Sequence, residues 1–142
     1  KIIDDICEFD KPIKVLRLYK DGEPLLNKKL PEMIKYAKDK GCCEKIDTTT
    51  NASLLTNEMS LKLIDAGLDR INISIEGVNK EQYKSFSKVD IDFEKLVENI
   101  KFFYENKIQL FPTDLSDHYL KKTNQEQLIY PYLLLHLLIY VP

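Results

Sequence analysis

The stretch Ile71-Asn72-Ile73-Ser74-Ile75-Glu76 decides the fold. Three isoleucines alternate with three polar residues, which is the two-residue period of a β-strand with one apolar and one polar face. A parallel strand that helices cover on both sides would be apolar on both faces. Because only one face is apolar here, we expect the other face to line a polar interior.

An earlier stretch repeats this alternation. Asp47, Thr49 and Asn51 alternate with Ile46 and Thr48. Both strands are explained by a curved sheet with helices outside and a polar concave face. The alternative is an antiparallel sheet with one solvent-exposed face. Such a sheet would need hairpin turns, which are excluded by the helices predicted between the strands.

Strand and helix patterns alternate along the chain. Strands are predicted over residues 15–19, 45–50, 70–75 and 108–111. Helices are predicted from residue 30 to a stop at Gly41, from a Thr56 cap to Gly67, around 80–86, and from 93 to about 106. Strands separated by helices of this length imply right-handed βαβ units and a parallel sheet. The fold class is therefore α/β, as a partial barrel with parallel strands.

Composition narrows the class of protein. The 142 residues fall short of the roughly 250 that an eight-fold barrel needs. A net charge of −2 argues against nucleic acid and anionic membranes as partners. Three cysteines form no disulfide framework and no secretory signal is recognised, which favours a reducing cytoplasm. Because the chain opens on Lys1 rather than Met, we expect it to be a fragment.

Polar residues end three of the predicted strands. Gly22-Glu23-Pro24 follows the first strand, Asn51 ends the second, and Ser74 and Glu76 end the third. In a parallel sheet these ends meet at one edge, where open α/β sheets and barrels place their ligands. Two carboxylates, an amide and a hydroxyl suit a ligand that carries an ammonium group and sugar hydroxyls. The structural alternative is that the same side chains cap the strand ends.

Three segments stand out by their order: Gly22-Glu23-Pro24, Thr49-Thr50-Asn51-Ala52 followed by Leu54-Leu55, and the run from Leu63 to Gly77. Together they resemble the core of a radical S-adenosylmethionine (SAM) enzyme. Their order and spacing carry the resemblance, which covers roughly Lys14 to Asn106 and is strongest to the peptide-maturase-like branch. The resemblance implies a (β/α)6-type partial barrel, here incomplete at both ends.

The resemblance also implies a cofactor site. Gly22, Glu23 and Pro24 would bind the amino group of the methionine part of SAM. Ser74 and Glu76 would contact its ribose or carboxylate, and Asn51 would lie near the same ligand. A [4Fe–4S] cluster is implied for the full-length family member, and the substrate is not identified, with a peptide or protein as one candidate. No catalytic residue is identified.

The sequence departs from the family pattern in two places. Asp21 stands where the family has a first glycine, and we expect Asp to tolerate a left-handed backbone there. The cluster motif Cys-x-x-x-Cys-x-x-Cys is absent, so no metal ligands are assigned and we expect the motif to lie before Lys1. The chain alone is then expected to be inactive. The alternative is a non-catalytic, degenerate partial barrel that serves as an interaction module. An ordinary barrel enzyme that binds phosphate is disfavoured, because phosphate loops are rich in glycine and the four glycines of this chain are not clustered.

Two regions are predicted. Residues 1–107 form the partial radical SAM core, and residues 108–142 form a divergent or out-of-frame tail. The apolar run over 128–142 is shorter than the ~20 residues that cross a bilayer, so no membrane span is expected.

Overall fold

The computed structural model describes residues 1–74, 80–87 and 92–110. The chain divides into two compact units, Lys1–Ile73 and Ser74–Pro142. Each unit is described by itself. The predicted Ile75 and Glu76, and the apolar run over 128–142, lie outside the described residues.

The first unit is built from alternating helices and strands. Its elements are α1 Ile2–Cys7, β1 Ile13–Arg17, a 3₁₀ turn Pro24–Leu26, α2 Leu30–Lys40, β2 Cys43–Thr50, α3 Asn57–Asp65 and β3 Arg70–Ile73. The three strands form an open sheet in the order β1-β2-β3, and both pairings are parallel. The predicted α/β class and the parallel pairing are confirmed.

The register sorts the strand residues onto two faces. Leu16 pairs with Ile46, and Thr50 pairs with Ile73, on one face. Residues paired in register share a face, and neighbours along a strand take opposite faces. Ile46 is fully buried, and the same face carries the core of this unit: Leu25, Leu30, Ile34, Ala37, Leu55, Leu63, Ile64 and Leu68.

The opposite face of the sheet is polar, as the alternation predicts. Asp47 lies between Arg17 and Arg70 in register, and Thr49 pairs with Asn72. The Arg17 Nε lies 3.4 Å from Asp47 Oδ2, and Asn72 Nδ2 donates to Thr49 Oγ1 at 3.4 Å. These contacts run across all three strands and hold the polar face together.

Local signals fix the ends of two helices. Gly41 follows α2 with φ of 64°, a left-handed backbone that glycine adopts without steric cost. Thr56 precedes α3, and its Oγ1 accepts a hydrogen bond from Met59 N at 3.2 Å. Both boundaries confirm the sequence prediction.

The second unit contains α4, Lys80–Ser87, and α5, Phe93–Leu110. Asp92 caps α5 by accepting a hydrogen bond from Lys95 N at 3.0 Å. In α5 the side chains of Leu96, Ile100 and Phe103 are buried, whereas Tyr104 is 58% exposed.

The strand predicted over 108–111 was wrong for residues 108–110, which continue α5. Neither Gly nor Pro interrupts the sequence between Phe93 and Leu110, and Ile108 extends the helical spacing from Tyr104. The short apolar run that suggested a strand is therefore the last turn of a long helix. The predicted division at residue 107 stays a prediction.

Candidate functional site

The loop after β1 turns at Gly22. Its φ of +82° is left-handed, and Pro24 opens the 3₁₀ turn that follows. Among the described residues, Ala52 is the only non-glycine with a positive φ. Asp21 therefore does not take the left-handed backbone that we expected it to tolerate, because Gly22 alone makes the turn.

Glu23 joins this loop to the end of β2. Its Oε1 accepts hydrogen bonds from Leu25 N at 2.9 Å and from Thr50 Oγ1 at 2.6 Å. Its Oε2 accepts one from Asn51 N at 2.9 Å. Glu23 and Asn51 are thus brought together, as predicted, at the carboxyl ends of neighbouring parallel strands.

A tight turn after β2 shapes the other side of this contact. Thr50 Oγ1 also accepts a hydrogen bond from Ala52 N at 3.0 Å, and Ala52 has φ of 59°. Asn51 Oδ1 accepts from both the backbone N and the hydroxyl of Ser53, at 2.9 and 2.7 Å. The Asn51 side chain therefore organises its own turn while its backbone N–H points at Glu23.

Thr50 and Ala52 lie in a segment that carries the family resemblance, but the sequence assigned neither of them a role in the site. Thr50 is one of three consecutive threonines, so its residue type does not distinguish it. Alanine carries no signal for a left-handed backbone, which normally favours Gly, Asn or Asp. Only the three-dimensional turn shows that the Thr50 hydroxyl links Glu23 to Ala52 N.

The carboxylate of Glu23 keeps capacity for one more donor. A carboxylate offers about four acceptor positions, and the described residues use three of them, two on Oε1 and one on Oε2. Glu23 is also half-buried, so solvent reaches it. Glu23 therefore caps the strand ends through its hydrogen bonds, and its Oε2 keeps a free acceptor position for an ammonium group.

The other residues predicted for the site lie either beside Glu23 or beyond the first unit. Gly22 is exposed and Pro24 is half-buried beside Glu23. Ser74 is exposed and directly follows Ile73, the partner of Thr50 in the register. Ser74 belongs to the second unit, and Glu76 lies outside the described residues, so their predicted roles stay predictions.

Cysteine thiolates hold the iron of [4Fe–4S] clusters, so the positions of the cysteines in this chain matter. Cys42 and Cys43 are buried at the start of β2, the opposite end of that strand from Glu23. Burial raises the pKa of the Cys7 and Cys43 thiols, whereas iron–sulfur clusters are held by thiolates. Residues 1–74, 80–87 and 92–110 contain no group of three His, Cys, Asp or Glu side chains able to hold a metal. These residues do not fit a [4Fe–4S] cluster.

Comparison with known families identifies the superfamily of this chain. The family model described as the radical SAM superfamily matches residues 1–120. The chain belongs to the radical SAM superfamily. Members of this superfamily use SAM and a [4Fe–4S] cluster, so the predicted family and its cofactors are confirmed at that level.

Three relatives show the range of similar enzymes. A probable GTP 3',8-cyclase of Methanococcus maripaludis is 38% identical over 121 residues, which is 84% of this chain and 37% of the relative. An Fe-coproporphyrin III synthase of Methanosarcina barkeri is 36% identical over 83 residues, 58% of this chain and 20% of the relative. An AdoMet-dependent heme synthase from the same species is 34% identical over 99 residues, 70% of this chain and 27% of the relative.

This radical SAM chain therefore spans roughly a fifth to two fifths of the length of these relatives. The resemblance to the peptide-maturase-like branch stays a prediction. Within the described helices, no segment is both long and apolar enough to cross a membrane.

Proposed function

We propose that this chain supplies the part of a radical SAM enzyme that holds the methionine end of SAM. In this proposal Glu23 accepts a hydrogen bond from the ammonium group of the cofactor. The single observation that supports it most is the Glu23 carboxylate, which three donors of the chain hold at the strand ends. A carboxylate with a free acceptor position forms a charge-assisted hydrogen bond with an ammonium.

The neighbouring residues position this acceptor. The Thr50 hydroxyl and the backbone N–H of Asn51 fix both oxygens of Glu23, so the carboxylate loses little freedom when a ligand arrives. Gly22 makes the turn that brings Glu23 to β2, and Pro24 fixes the backbone that follows. Asn51, whose backbone N–H contacts Glu23, would lie beside the rest of the cofactor. The cofactor contacts of Ser74 and Glu76 stay predictions from the sequence.

SAM, when bound beside a reduced [4Fe–4S] cluster, supplies a carbon-centred radical that abstracts hydrogen from a substrate. The thiols of this chain lack the cluster spacing and do not gather into a metal site in the described residues. We therefore propose that the cluster ligands lie outside this chain and that the chain alone is inactive. A cytoplasmic location, favoured by the cysteine content, is part of the same proposal.

Glu23→Gln tests the ammonium contact. The substitution keeps the size of the side chain and removes its charge. Loss of a hydrogen bond to a charged group costs about 1.5–3 kcal/mol, so we expect roughly 10- to 150-fold weaker binding of SAM in titration calorimetry. Binding of 5'-methylthioadenosine, which lacks the amino-acid part of SAM, should not change.

Glu32→Gln is the matched control, because Glu32 is exposed in the first turn of α2. It changes the net charge equally and should leave the affinity for SAM unchanged. Unchanged SAM affinity in Glu23→Gln would remove Glu23 from the site. Equal weakening of SAM and 5'-methylthioadenosine would show that Glu23 only stabilises the loop.

A further inference from the structure

A small cavity lies at the amino-terminal end of the sheet, away from Glu23. It has a volume of about 80 Å³, and the residues that line it include Cys7, Cys42, Lys11 and Lys40. Cys7 ends α1, and Cys42 directly precedes β2. The cavity therefore brings together two cysteines that are far apart in the sequence.

The two thiols differ in access. Cys7 is half-buried, whereas Cys42 is only 4% exposed and its Sγ donates to Ala37 O at 3.7 Å. Both cysteines line the same cavity. Burial raises the pKa of the Cys7 thiol, and the side chain of Cys42 raises it further. A reagent in solution would reach Cys7 first.

We propose that Cys7 and Cys42 form a dithiol site that small anionic disulfides oxidise to an intramolecular disulfide. Lys11 and Lys40 belong to the lining of the cavity, and their positive charge favours an anionic reagent such as oxidised glutathione. Asp4 is nearby, but it is already paired with the amino terminus of Lys1 and with the Tyr36 hydroxyl.

The exchange has two balanced steps. The Cys7 thiol loses its proton and the resulting thiolate attacks one sulfur of oxidised glutathione, so a mixed disulfide forms and one glutathione thiolate leaves. Because burial raises the pKa of Cys7, this step is faster at alkaline pH. The Cys42 thiolate then attacks the Cys7 sulfur and releases the second glutathione thiolate. Two protein thiols are oxidised, one glutathione disulfide is reduced to two thiols, and the two thiol protons end on glutathione.

The full chain is incubated with oxidised glutathione, quenched in acid, alkylated and mapped by mass spectrometry. We expect a cross-linked peptide pair that contains Cys7 and Cys42, with Cys43 free for alkylation. Cys43→Ser is the matched control and should keep the cross-link. Cys42→Ser should abolish it and accumulate glutathione on Cys7, because the resolving thiol is gone.

Circular dichroism shows whether Cys42→Ser folds, since Cys42 is buried. If it does not fold, Cys7→Ser is the second variant that tests the proposal. This variant changes the more accessible thiol and should leave Cys42 unmodified by glutathione. A Cys42–Cys43 or Cys7–Cys43 cross-link would overturn the proposal. So would a stable glutathione adduct on Cys7 of the unaltered chain, or no reaction at all.

Discussion

Thr50→Val should destabilise the first unit although valine nearly matches threonine in shape. Thr50 is 2% exposed and its hydroxyl makes two hydrogen bonds. It donates to Glu23 Oε1 at 2.6 Å and accepts from Ala52 N at 3.0 Å. Valine removes both bonds and leaves the methyl packing almost unchanged.

The expected loss follows from those two bonds. A hydrogen bond to a charged group contributes about 1.5–3 kcal/mol, and a buried N–H left without a partner costs about 1–3 kcal/mol. The two effects overlap, because Glu23 keeps its bonds from Leu25 N and Asn51 N. We therefore expect the free energy of unfolding to fall by about 2–4 kcal/mol, measured by urea denaturation monitored by circular dichroism.

Thr48→Val is the matched control, two residues earlier on the same face of β2. Thr48 is also fully buried, but its Oγ1 has no hydrogen-bond partner in the described part of the chain. Removing an unsatisfied buried hydroxyl should be neutral or stabilising. If Thr50→Val cost no more than Thr48→Val, the hydroxyl of Thr50 would not be stabilising the strand end, and the argument for a fixed Glu23 carboxylate would fail.

Three further predictions concern the core, an exposed hydrogen bond and the cluster. Ile46→Ala should lower the free energy of unfolding by about 2–5 kcal/mol. Ile73→Ala should lower it by less, because Ile46 is fully buried whereas Ile73 is half-buried. Equal losses in urea denaturation would contradict the burial argument. Tyr36→Phe should raise the pKa of Asp4 toward its ordinary value in an NMR titration, since the Tyr36 hydroxyl is the main cause of its lowered pKa; an unchanged pKa would disprove that contact. Anaerobic reconstitution of the chain with iron and sulfide should give no stoichiometric four-iron absorption and no 5'-deoxyadenosine, and a stable cluster would require ligands not recognised here.

The sequence predicts the sheet well because its signals are local and periodic. The alternation around Ile46 and Asp47 identifies the two faces of β2, and Gly41 and Thr56 mark helix ends with specific backbone chemistry. The end of α5 was missed because a short apolar run near Ile108 fits a strand or a helix equally well by period alone.

The site was predictable in part. Glu23 could be found because a carboxylate between Gly22 and Pro24 is held in a stiff turn at a strand end. Its contacts with Thr50 and Asn51 could not be predicted, because these residues lie 27 and 28 positions away in the sequence. Asp21 shows the same limit: its residue type tolerates a left-handed backbone, but in this loop Gly22 takes that conformation and Asp21 does not.

The open sheet has a consequence for how the chain behaves at high concentration. In the described residues β2 pairs on both sides, while β1 and β3 each pair on one side. An edge strand presents backbone donors and acceptors that can template pairing with another molecule. Lys14 and Arg17 are exposed on β1, and charges on an edge oppose self-association. Salt screens such charges over a Debye length of about 8 Å at physiological ionic strength, so aggregation should increase as salt is added.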